Sequence, residues 1–155
     1  MDQWNYGEPF RFTNRSAGET CTAVVLIHFP IALFIAGVAF DFLAQSTKQS
    51  KLAVAAYWNF LSATLTTVPV MITGLLAWQW QLEGQRLKGT LLLHLVFGCI
   101  SSLLIGVVWL IHQRVQGKQG AALPGYRIPL EVLVVVLVGF TGHLGGFLSG
   151  VNGPG

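Results

Sequence analysis

Apolar residues run almost unbroken through four long stretches of this chain, and polar positions collect in the segments between them. The stretches cover about residues 22–44, 52–80, 90–112 and 128–150. Each reaches the roughly 20 residues a helix needs to cross a hydrocarbon layer about 30 Å thick. The pattern predicts four membrane-spanning helices, the second long enough to tilt, kink or extend beyond the hydrocarbon. The expected fold is an all-α, integral membrane four-helix up-down bundle. It forms a single membrane domain over residues 1–155, with no internal repeat and no polar region large enough for a second domain.

Composition agrees with a lipid setting. The chain is 53% hydrophobic and 10% charged, with a mean hydropathy of +0.62, whereas soluble domains carry about 25% charged residues. The formal charge of +3 is spread over loops, which argues against nucleic-acid binding. The N-terminal MDQWNYGEPFRFTNRSAGE has no basic segment leading into a short apolar core, so no cleavable signal peptide is expected. Cys21 and Cys99 form neither a metal-type pair nor a disulfide framework. Lys48, Lys51, Arg114, Lys118 and Arg127 fall on one side of the bilayer, against Arg11, Arg15, Arg86 and Lys88 on the other. This thin margin favours a multi-pass protein with both termini outside.

Within the spans, polar residues are few. Span one places Pro30 two residues after His28 and Asp41 near its far end, where an interfacial carboxylate paired with a loop cation is expected. Span two lies between Tyr57–Trp58 and Trp78–Trp80, aromatic belts at the two headgroup levels. It is rich in Ser and Thr and contains Pro69 and Gly74. That suits a kinked packing helix, or else one whose Thr66, Thr67 or Thr73 faces a cofactor or quinone. Span three carries His94 and Gly98 on one helical face and ends at His112, read as an interfacial histidine beside Gln113 and Arg114. The connection QRVQGKQGAALPGYRIP is expected to be irregular. Span four gathers Gly139, Gly142, Gly145 and Gly146 around His143.

His28, His94 and His143 fall at similar depth. At about 1.5 Å per residue they lie roughly 9, 6 and 10–11 Å from the span ends facing one side. Imidazoles in hydrocarbon are costly and point to a functional site. Spans one and three should sit diagonally, so His28 and His94 are the first choice as axial ligands of a haem iron, with His143 as substitute. Gly98 and Gly142 would leave room for the macrocycle. One haem b is the expected cofactor, with a quinone as a further candidate. Interhelical hydrogen bonds and a three-histidine zinc or copper site are the competing readings. No carboxylate or cysteine supports the metal site within that layer.

The stretch LIHFPIAL, with HFPIAL at residues 28–33, resembles the signature of the "domain of unknown function 2231" family of predicted bacterial membrane proteins. Pro69 with Thr73-Gly74-Leu75, His94, and Gly142-His143-Leu144-Gly145-Gly146 match further features of that family. The resemblance covers nearly the whole chain and implies a four-helix membrane domain, sometimes associated with cytochrome-like modules. No CxxCH motif is present to attach haem c.

The expected function is therefore a cytochrome-b-like electron-transfer subunit, exchanging electrons with a quinone or a neighbouring membrane or periplasmic redox subunit. The alternative is a cofactor-free structural subunit of a larger bioenergetic or photosynthetic complex. A self-contained enzyme is not expected, since no nucleophile–base pair or nucleotide motif appears. A proton-handling transporter using the three histidines ranks below these, because acids are scarce in the span centres.

Overall fold

The four apolar runs are four α-helices in the computed structural model, which describes residues 15–80, 88–116 and 124–148. Helix α1 spans Arg15–Thr47, α2 Ser50–Trp80, α3 Gly89–Val115 and α4 Arg127–Leu148. Each contains a segment long and apolar enough to cross a membrane. Helix α1 starts about two turns before the apolar run, because hydropathy marks the hydrocarbon boundary while helical hydrogen bonding continues beyond it. Most of the polar N-terminal segment, the α2–α3 connection at 81–87 and the tail at 149–155 lie outside the described residues. Of the connection at 113–129 read as irregular, 117–123 also lie outside them, while its ends at 113–115 and 127–129 are helical turns of α3 and α4.

Helix α1 packs on α2 and α4, and α3 packs on the same two, so α1 and α3 occupy a diagonal. Neighbours run antiparallel. Phe60 of α2 meets His112 of α3, whereas Thr64 lies beside Gly106. His94 of α3 reaches Thr141 of α4 at one end, and His112 reaches Glu131 at the other. The α1–α2 turn is only two residues long, with Lys48 in the left-handed region at φ 56°.

Hydrophobicity does not distinguish the inner faces, because the helices are apolar all round. Buried positions nevertheless recur at alternating three- and four-residue spacing: Pro30, Phe34, Gly37, Asp41 and Ala44 on α1, and Ala56, Phe60, Ala63 and Thr67 on α2. Helix α3 buries Ser101, Ile105, Val108 and His112, and α4 buries Glu131, Val134 and Val138 on this spacing and Leu144 off it. This is the seam of a left-handed bundle. Exposed Leu65, Leu103 and Val136 face outward, as expected of side chains solvated by lipid tails, which leaves helix association to close packing and polar contacts.

Gly37 shows how close that packing is. A Cβ there would lie 2.7 Å from Phe60 Cε1 and 2.8 Å from Cδ1. Phe60 is fully buried, with Phe34 at 5.4 Å and His112 at 4.7 Å between ring centroids. It has no free direction in which to swing. Gly37→Ala should therefore lower stability by a net of about 1 kcal/mol, an overpacking cost of about 1–3 offset by a helix-propensity gain of about 0.5–1. The midpoint of unfolding in mixed micelles checks this; an unchanged midpoint would mean that the ring relaxes at no cost.

The threonines of α2 spend their hydroxyl protons on their own helix. Thr66 donates to Ser62 O at 2.7 Å, Thr67 to Ala63 O at 2.8 Å and Thr73 to Val70 O at 2.9 Å. Such back-bonding spends the hydroxyl protons within α2 and supports the packing-helix reading.

Candidate functional site

The most concentrated polar chemistry among the described residues lies at the end of the bundle that carries the α1–α2 turn. Asp41 sits one turn from the end of the α1 seam, 1% exposed. Arg127, the first residue of α4, donates from Nε to Asp41 Oδ2 at 2.8 Å and from Nη2 to Gln45 Oε1 at 3.5 Å. The expected pairing of Asp41 with a cation is thus present, although Arg127 is the first residue of α4 rather than a loop residue and the carboxylate is buried in the bundle. Four residues into α4, Glu131 is 0% exposed. Its Oε1 shares a 2.9 Å hydrogen bond with His112 Nε2, and its Oε2 meets no donor among the described residues. The His112 ring rests on Phe60, which closes the cluster off from the apolar core.

His112 extends the sequence reading. It is buried at 5% exposure and bonded to an acid, facing the bundle interior from its place near the span end. Position near a span end suggested the headgroup level, yet His112 continues the Ser101, Ile105, Val108 seam and so turns inward. Glu131 was missed altogether. The signal was available: Asp41, His112 and Glu131 all lie within one turn of the span ends on one side, the same depth argument that singled out the other histidines.

The opposite end holds those histidines, in unequal settings. His94 is half-buried, one heptad before Ser101 and hence on the α3 seam. Its Nδ1–H donates to Thr141 O at 3.1 Å. Gly145 makes room for it, since a Cβ there would stand 3.1 Å from His94 Cε1. Ser101 and Thr141 hydroxyls approach to 3.4 Å just below. His28 and His143 lie on exposed faces, off their helices' seams, and His143 packs edge-on against Phe147 at 4.8 Å. The three do not converge as one three-donor group. A Cβ on Gly98 would stand 3.7 Å from Thr141 Cγ2, whereas a Cβ on Gly142 would meet nothing within 4 Å.

A family model described as predicted membrane protein (domain of unknown function 2231) matches residues 24–153. The chain belongs to that family. The match takes in all four apolar runs and both polar ends of the bundle. No curated protein and no solved structure matches the chain. Membership of the domain of unknown function 2231 family makes this a multi-pass membrane protein in contact with lipid, and specifies no activity. The resemblance drawn on HFPIAL and GHLGG is therefore upheld, and the residues carrying it cluster around the His94 end.

Proposed function

We propose that the chain is a cytochrome-b-like subunit of a bacterial inner membrane, both termini periplasmic, holding one haem b at its His94 end. The observation that carries this is the orientation of His94. A carbonyl can only accept, so the bond to Thr141 O fixes the proton on Nδ1. The neutral ring then presents the Nε2 lone pair, the arrangement that metal-ligating histidines adopt when a backbone carbonyl orients them. His28 is the first choice for the second axial position and His143 its substitute. His28 precedes Pro30, whose missing N–H frees a carbonyl and loosens that turn against the rest of α1. A haem bound there would supply one-electron chemistry. The chain's own residues would orient the imidazole, keep water out and hold the site in low dielectric. The electron partner would be a quinone or a neighbouring membrane or periplasmic redox subunit.

A second reading, a cofactor-free docking subunit of a larger membrane complex, draws on Gly139 and Gly142. Both are exposed on α4 with open space where a Cβ would stand, which suits close approach by another helix. A reduced-minus-oxidised spectrum separates the two. The expected result is a b-type α-band in the purified chain that His94→Ala removes while helical circular dichroism is retained. Absence of haem from the intact chain and from its native complex would leave the docking role standing.

A further inference from the structure

A second donor set lies about 27 Å along α3 from His94, near the other membrane face. Asp41 of α1, His112 of α3 and Glu131 of α4 each offer one donor atom, and these atoms all lie within 4.8 Å of one another. It is the one group of three or more His, Cys, Asp or Glu donors among the described residues. All three residues are buried. Arg127 pairs directly with Asp41, whereas Glu131 is bonded to the His112 imidazole and feels Arg127 only through space. With that imidazole neutral, two carboxylates and one guanidinium leave one uncompensated negative charge, which is costly away from water. Independently of the count, Glu131 Oε2 is buried without a donor.

We propose that Asp41, His112 and Glu131 bind one divalent first-row metal ion of the zinc class. One imidazole nitrogen with two carboxylate oxygens is a donor set that suits such ions. Facing helices of a four-helix bundle are where such sites are built. Arg127, 2.8 Å from Asp41 Oδ2, acts from outside the donor set and orients the carboxylate. The 2.9 Å approach of His112 Nε2 to Glu131 Oε1 brings together two groups that the ion would bridge. Three protein ligands leave a fourth position open. A dication turns the net charge from −1 to +1, and a solvent-derived hydroxide in that position would bring it to zero. Binding would also tie α1 to α4, the helix neighbours that touch least.

The test uses full-length protein in lipid nanodiscs, stripped with a chelator and titrated with Zn2+ and Co2+. The expected result is one ion per chain, a raised unfolding temperature, and an X-ray absorption signature of a single imidazole among oxygen donors. Glu131→Gln and His112→Gln should each weaken binding by more than about tenfold, since even groups behind the ligands contribute 10–100-fold. His94→Ala should leave it unchanged. Failure of the wild type to retain an ion overturns the proposal. So does an ion with two or more imidazoles, which would place it at the opposite end. So does a metal-free protein with an infrared band of a protonated carboxylic acid that Glu131→Gln removes, because a proton would then fill the place of the ion. The absorption measurement on the wild type stands even if the variants fail to fold.

Discussion

Asp41→Ala is expected to cost the bundle about 3 kcal/mol, near the lower end of the roughly 3–5 seen when one partner of a buried ion pair is removed. The loss comes mainly from what remains. Arg127 would lose its 2.8 Å carboxylate partner and keep only Gln45 at 3.5 Å and the more distant Glu131, in a setting where Asp41 is 1% and Arg127 13% exposed. The figure falls low in the range because Arg127 is the first residue of α4 and can extend its guanidinium towards the headgroups. The double variant Asp41→Ala/Arg127→Leu removes the stranded charge as well, so it should lose less than the sum of the two single variants. Folding titrations in mixed micelles supply the cycle, with coupling expected at about 1–3 kcal/mol. Strict additivity would show that the pair contributes nothing beyond its separate side chains.

How much of this was legible differs between properties along the helix axis and around it. Helix number, order and approximate length follow from the apolar runs, because lipid demands spanning segments with all backbone polar groups bonded internally. Depth also follows from residue counting. Rotation about each axis does not. In water, an apolar stripe marks the inner face, but here Leu103 faces outward as readily as Ile105 faces inward. The three-four seam is written in small and polar residues instead, such as Gly37, Ala63 and Ser101. Depth alone therefore grouped His28, His94 and His143, although only His94 stands on a seam. The same seam on α3 carries His112 inward, and the α4 seam brings Glu131 to meet it. Counting in threes and fours from Ser101 reaches His112, and from Thr141 it reaches Glu131.

Phe60→Ala should be comparably damaging, at about 3 kcal/mol, the lower end of the range for deleting a buried aromatic ring. The transfer of apolar surface contributes little in this setting, because a ring exposed in the unfolded helices is already solvated by lipid. What is lost is dispersion across a filled space and the cavity left behind. Phe60 is fully buried and touches Phe34, His112 and the bare backbone at Gly37. No neighbour can collapse into its volume without dragging a helix. The void would open directly beneath His112 and Glu131 and let water reach the unpaired Oε2, which recovers part of the cost by solvating it. Two measurements follow. Unfolding midpoints should show the loss, with Phe60→Leu near 1 kcal/mol because most of the volume remains. Gly37→Ala should become neutral or mildly stabilising in the Phe60→Ala background, because its Cβ would enter the vacated space and its helix-propensity gain would remain. If Gly37→Ala costs the same with and without the ring, contact with Phe60 is not what excludes a side chain at position 37.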